Sequence, residues 1–328
     1  MEVLTAVLTI LGLVIGSGFV SGREIVVFFS RFGFWSYPCV ILSFFIFWFF
    51  FKILLNYSEK KKKNSENSNF SCVLNVILCL VFTSAMFAGV NNLINFSNKI
   101  YNFILILFML FICFLIYKKG MGTLNKVNLL LVPIMIFVLM AFILFVIKKP
   151  FIKYEKISFY PLLYSIFYCV LNISNGSSLI IKLGENLRKK NKARVAFISA
   201  LVLCSFLFLI NIVLTENTSS FSSDMPFLSL FDGWRKTVMN IILFLSSLTS
   251  VFSLIYTSSM ILRGLCFNEI LIFFISVVMP FCLSGLGFGV IITYFYPIAS
   301  ALSLFMLCEM LMKENFIFTF KIPFRRKK

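Results

Sequence analysis

From Val127 to Ile147 the chain reads VNLLLVPIMIFVLMAFILFVI, with no charge between Lys126 and Lys148. About 20 apolar residues are what an α-helix needs to cross a hydrocarbon layer about 30 Å thick. Such a run has few alternatives in lipid, because every backbone N–H and C=O must find its partner inside the segment. Runs of this kind recur along the sequence. They place ten candidate spans at about 3–30, 34–55, 70–95, 98–117, 127–147, 158–187, 193–215, 237–262, 268–286 and 288–311. Of the 328 residues, 60% are hydrophobic and 13% charged, which leaves too little polar surface for a water-soluble domain. The runs do not alternate apolar with polar, so an outer-membrane barrel is excluded. The fold class is all-α integral membrane. The piece MPFLSLF, between Glu216 and Trp234, is too short to span and is expected to lie as a surface helix.

The formal net charge of +18 does not point to nucleic acid, because the basic residues lie between apolar spans, where they face anionic lipid heads. With a cytoplasmic N-terminus, the inner loops hold Lys52 and Lys60 to Lys63, then Lys118, Lys119 and Lys126. They also hold Lys182, Arg188, Lys189, Lys190, Lys192, Arg194, Arg263 and the basic C-terminal residues, most of the 30 Lys and Arg. This bias expects a multi-pass protein of the cell (plasma) membrane with both termini cytoplasmic. The first apolar segment lacks a basic n-region and a small-residue cleavage site, and reads as a retained span. The partners expected are the bilayer and a small-molecule substrate.

Histidine is absent, and nine cysteines stand singly in apolar runs. Small apolar packing residues explain the cysteines better than a metal or disulfide framework. Without imidazole or an intramembrane carboxylate cluster, an enzyme is not expected, nor a cofactor beyond a coupling ion. A channel is disfavoured for want of a pore-loop signature or a ring of carboxylates.

Ten spans divide into two sets of five, residues 1–149 and 150–312, followed by a basic cytoplasmic tail, 313–328. An odd number per half forces the halves to lie inverted with respect to each other, a recurrent transporter design whose first helix is broken near the midplane. The first span contains VIGSGFVSGREI, Val14 to Ile25, with Gly16, Gly18 and Gly22 followed by Arg23 and Glu24. The sixth contains LNISNGSS, Leu171 to Ser178, at a matching depth. Both are expected to unwind, exposing free N–H groups suited to a carboxylate and free carbonyls suited to a cation. The plainer alternative is that Gly and Ser here let helices pack closely.

On the stretches GSGFVSGREIVVFFSRFG (Gly16–Gly33), SAMFAGVNN (Ser84–Asn92) and YFYPIASAL (Tyr294–Leu302), the chain resembles the YkvI-type membrane transporters of Gram-positive bacteria. More broadly it resembles the LeuT-type five-plus-five inverted-repeat fold of the amino acid–polyamine–organocation superfamily. The resemblance implies a secondary active transporter of a small organic solute, an amino acid or related zwitterion, working by sodium-coupled alternating access. It also implies a sodium site from the carbonyls of Gly12, Ile15 and Ser246 and the hydroxyls of Thr249 and Ser250. Five oxygens without a carboxylate suit a monovalent cation better than calcium or magnesium.

The substrate carboxylate would meet the N–H groups around Gly16, Ser17, Gly18 and Phe19. Asn172, Ser174, Asn175 and Gly176 would meet its polar end, and Met86, Phe87 and Gly89 would form the wall. Arg23 and Glu24 read as an outer gate or structural pair, with Glu24 as proton carrier the alternative. Lys182 and Glu185 read as a solvated face. A proton-coupled or uncoupled permease, and a ligand receptor of the germinant-sensing type on the same fold, stay open beside the sodium symporter.

Overall fold

The computed structural model describes residues 2–61, 69–93, 121–146, 159–265 and 267–313. The expected fourth span, Lys118 and Lys119, the Lys148–Lys156 loop and nearly all of the basic tail lie outside the described residues. Among the described residues every regular element is helical, and eight helices are long and apolar enough to cross a membrane. They belong to a multi-pass membrane protein.

The long helices are α4 (Ser36–Lys61), α5 (Asn69–Leu93), α6 (Met121–Val146), α7 (Tyr160–Glu185), α8 (Lys189–Glu216) and α9 (Gly233–Gly264). They cover the expected second, third, fifth, sixth, seventh and eighth spans. The first span is divided into α1 (Glu2–Val14), α2 (Ser17–Val20) and α3 (Arg23–Phe28). The ninth is α10 (Glu269–Phe273) and α11 (Met279–Leu283), joined by a π turn over Phe274–Val278. The tenth is α12 (Phe288–Val290) and α13 (Tyr296–Lys313), joined by a π turn over Ile291–Phe295. Gly287, at φ 91°, separates the two, in a region where a Cβ is strained.

The first break follows from local chemistry. The Ile15 N–H still reaches Leu11 O at 2.7 Å, but Gly16 turns extended (φ −97°, ψ −172°) and its N–H closes on Val14 O at 2.9 Å. Helix resumes at Ser17, with Val20 N–H on Gly16 O at 3.0 Å. A second interruption follows at Gly22, which sits at φ 79° with Leu214 and Phe227 packed where a Cβ would go.

The expected break in the sixth span is not there. α7 runs unbroken from Tyr160 to Glu185 through Asn172, Ser174, Asn175, Gly176 and Ser177. Its polar side chains find partners that leave the ladder intact: Asn172 Nδ2 donates to Tyr168 O at 2.9 Å and Ser177 Oγ to Ser174 O at 2.8 Å. Gly176 serves packing, since a Cβ there would run into Leu13 of α1. The close-packing alternative describes this segment.

α4 packs on α7 and α8, α5 on α9, and α1 on α6, α8 and α9; α13 lies on α7 and α5. α6 turns Leu124, Asn128, Val132, Met135, Leu139 and Ile143 inward at helical spacing and leaves Leu130, Phe137, Leu144 and Phe145 on the outside. Arg188 N–H donates to Glu2 Oε1 at 2.6 Å, tying the start of α1 to the α7–α8 turn. Lys182 and Glu185 pair at 2.6 Å in an exposed position, as a solvated face should.

The Glu216–Trp234 connection does not lie on the surface as expected. It forms two short 3₁₀ turns, Thr218–Ser222 and Leu228–Leu230, and buries Met225, Phe227, Leu228 and Phe231. Phe227 N–H donates to Ser21 O at 2.7 Å, so the connection plugs the turn between α2 and α3. Its apolar residues are too few to span and too many to leave in water.

The contact between α4 and α7 depends on Gly184, where a Cβ would collide with the carbonyl of Leu55. Gly184→Ala should therefore destabilise the purified protein by about 1–3 kcal/mol in thermal unfolding, the usual cost of overpacking. Gly264→Ala, with open space around it, should stay within about 0.5 kcal/mol. Equal effects would sink this packing assignment.

Candidate functional site

The break at Gly16 is buried and faces α5 and α9. A Cβ on Gly16 would lie 2.6 Å from Met86 Sδ and 2.9 Å from Ser250 Oγ, so glycine is what lets the three elements meet. Ser17 turns both its N–H (3.3 Å) and its Oγ (3.2 Å) onto Met86 Sδ. Gly89, one turn along α5, leaves room for Ser17 Oγ and Phe288. Met86 and Gly89 thus lie against Ser17 at the break, and Phe19 is fully buried. Phe87 does not join them: its ring lies edge-on to Phe281 of α11 at 5.9 Å, because neighbouring residues on a helix point about 100° apart.

On α7, Ser174 Oγ donates to Ser303 O at 3.3 Å, and both amide atoms of the buried Asn175 have no partner. Gly176 brings this stretch against Leu13, at the end of α1. The polar cluster of the sixth span therefore lies beside the first break without a break of its own.

The expected cation ligands come together in part. Ser250 Oγ donates to Gly12 O at 3.0 Å, joining α9 to the last turn of α1. Thr249 Oγ1 donates to Ser246 O at 3.0 Å, so this hydroxyl is turned to its own helix. Gly12, Ile15, Ser246, Thr249 and Ser250 are all buried. Asn128 of α6 extends the set: its Oδ1 would stand 3.0 Å from a Cβ on Gly12, and neither of its amide atoms has a partner although it is fully buried. Sequence reasoning missed this residue, yet the signal was present, one asparagine near the start of a run otherwise free of hydrogen-bonding side chains.

Arg23 and Glu24 do not pair. Arg23 donates through Nη1 to Phe221 O (2.9 Å) and Ser223 O (3.1 Å), and through Nη2 to Thr293 Oγ1 (2.9 Å). It holds the 217–232 connection down on the π turn of the tenth span. Glu24 goes the other way. Its carboxyl is only 2% exposed and lies against Gly18 where a Cβ would otherwise be, with Oε2 unpartnered. Consecutive residues on a helix cannot face each other, so a pair adjacent in sequence is split between the 217–232 connection and the break. Asp224 packs against Gly289 and accepts from Asn92 Nδ2 at 3.4 Å, a further link between the connection and the helices beneath it.

Among the described residues no group of three or more His, Cys, Asp or Glu side chains gathers as a metal site. No protein-family model matches the chain, and no curated protein matches it either.

Two substitutions test this arrangement. Arg23→Ala removes three charge-assisted hydrogen bonds, so amide hydrogen exchange across 217–232 should rise while exchange in α4 stays unchanged. A uniform rise across the protein, or none in that connection, would contradict the tether. Gly18→Leu would drive a side chain into the Glu24 carboxyl and should lower the unfolding temperature of the purified protein, the usual result of overpacking. An unchanged unfolding temperature would contradict this contact.

Proposed function

We propose that the chain is a secondary active transporter of a small organic solute, of the YkvI type, built as ten helices in two inverted sets of five. The observation that carries the reading is an exchange symmetry in the packing. Number the spans one to ten and exchange each with the span five places away. The contact of span one with span five (α1 on α6) becomes that of six with ten (α7 on α13), and both exist. Two with six (α4 on α7) becomes seven with one (α8 on α1); three with ten (α5 on α13) becomes eight with five (α9 on α6). One with eight (α1 on α9) becomes six with three (α7 on α5). Contacts that recur in this way favour a five-span repeat, and the odd number of spans per half is what would make it inverted. This support does not need a second break, and α7 has none.

In this reading the break between α1 and α2 is the solute site, and rocking of one helix group against the other exposes it to each side in turn. Met86, Gly89 and Ser17 supply its wall, and Asn175 supplies an amide without other employment. The basic bias of the loops favours a plasma-membrane protein with both termini cytoplasmic.

The donor set beside the break suits a coupling cation of low charge. Gly12, Ser246, Thr249 and Ser250 offer neutral, buried oxygens, and the unpartnered Asn128 amide stands beside Gly12. Sodium held there would supply positive charge beside the break and couple solute movement to its gradient. Gly12 and Ser250 now share a hydrogen bond that an ion would replace with two ligand contacts. Thermal unfolding in sodium chloride against N-methylglucamine chloride tests this. Sodium should raise the unfolding temperature, as any ligand of the folded state does, and Ser250→Ala should remove the difference. Equal temperatures in the two salts would count against sodium coupling.

A further inference from the structure

α4 and α8 pack against each other antiparallel: Tyr37, at the start of α4, meets Thr215, at the end of α8, at 2.9 Å. Where the second half of α4 crosses the start of α8, the pair frames a groove of about 380 Å³. It is lined by Trp48, Lys52, Ala193, Arg194, Phe197 and Ile198. The groove opens to the outside of the bundle, since all of these are exposed except Trp48, which is half-buried. Its wall is aromatic and braced. Phe197 meets Trp48 edge-on at 6.0 Å and Phe44 edge-on at 5.8 Å, and Phe44 stacks on Trp48 at 6.3 Å. Rings engaged in this way restrain one another, so the groove has a fixed side.

Two cations share this groove. Among the described residues neither Lys52 nor Arg194 has a hydrogen-bond or ion-pair partner. The acids beside the α7–α8 turn, Glu185 and Glu2, are already engaged by Lys182 and Arg188. Lys52 falls near the end of the apolar stretch Ser30–Tyr57, where a basic side chain can reach the headgroup level with its stem in hydrocarbon. Away from the two cations the surface is apolar: Ile41 and Phe45 along α4, and Leu201 along α8, stand exposed. From Lys52 back to Ile41 a helix rises about 16 Å, close to half of a hydrocarbon layer about 30 Å thick. Positive charge at one end, an aromatic groove below it and an apolar stripe of half a bilayer's depth together match the outline of one lipid molecule.

We infer that the groove between α4 and α8 is a binding site for a phospholipid of net negative charge. Lys52 and Arg194 hold its phosphate, and an acyl chain runs along Trp48, Phe197 and Ile198. A basic pocket between membrane helices suits an anionic headgroup, and the planar Arg fork suits a phosphate. A second copy of the chain is the poorer occupant, because its formal net charge of +18 repels two further cations. A free anion would leave the aromatic groove unused. The inference needs a chain embedded in a membrane; it does not need the transporter reading.

Native mass spectrometry of the full chain released from detergent micelles tests the site, with phosphatidylglycerol and phosphatidylcholine supplied in equal amounts. Phosphatidylglycerol should be retained in preference, and its binding should saturate. Lys52→Gln and Arg194→Gln should each lower the phosphatidylglycerol affinity about fivefold, the effect of one basic side chain on anionic lipid. Lys190→Gln removes the same charge from the same end of α8 but outside the groove, and should leave that affinity unchanged. Ala193→Phe keeps both cations, fills the groove and should abolish the preference. Inorganic phosphate at constant ionic strength should not displace the lipid. Equal retention of the two lipids, an equal loss in Lys190→Gln, full binding in Ala193→Phe or displacement by inorganic phosphate would each overturn the assignment.

Discussion

Backbone groups released inside a membrane need partners, and the first span releases them in its own middle. An unsatisfied N–H or C=O in hydrocarbon costs several kcal/mol, so a break persists only where its surroundings answer it. Here the answers are weak ones. Ser17 N–H rests on a thioether, Met86 Sδ, at 3.3 Å, and sulfur is a poor acceptor. Gly12 O is met by the hydroxyl of Ser250 at 3.0 Å. Partners of this strength hold a helix break closed and can be exchanged for a ligand, which a second strand of backbone could not. The small residues around it follow from the same need, since Gly16 and Gly89 are what allow α5 and α9 to come close enough to answer at all.

The same break organises the charges. A helix separates consecutive side chains by about 100°, and α3 uses that angle to send Arg23 outward and Glu24 inward. Arg23 fastens the buried 217–232 connection to the tenth span. Glu24 lays a buried carboxyl against Gly18 with one oxygen unpartnered. The tether of the 217–232 connection and the buried carboxyl beside the break thus sit one residue apart on the same short helix. The π turn of the tenth span carries Thr293, which Arg23 reaches.

Much of the fold was legible in the sequence because the bilayer leaves few choices. Long uncharged runs had to be helices, and the observed ends of α7 and α8 fall close to the expected limits. The glycines of VIGSGFVSGREI marked a true interruption, since no residue with a Cβ fits at Gly16 and the left-handed φ of Gly22 disfavours one. LNISNGSS misled for a physical reason: Asn and Ser in lipid can bond to their own helix or to a neighbour, and a single glycine can serve packing without ending a helix. Side-chain partners were less legible. That Arg23 would reach Thr293 depends on a contact between residues far apart in the chain, which no local pattern encodes. Asn128 is the intermediate case, visible as an oddity in its run but given meaning only by its place against Gly12.

The central claim is that the first break faces a solute path that opens to one side of the membrane at a time. It is tested most directly by thiol labelling of Ser17→Cys in a chain whose nine native cysteines are replaced, using membrane-impermeant reagents applied from either side of sealed vesicles. The expected result is labelling from both sides in separate experiments, with added sodium suppressing it. A cysteine at position 17 that stays unlabelled from both sides, with and without that addition, would contradict a solute path through the break.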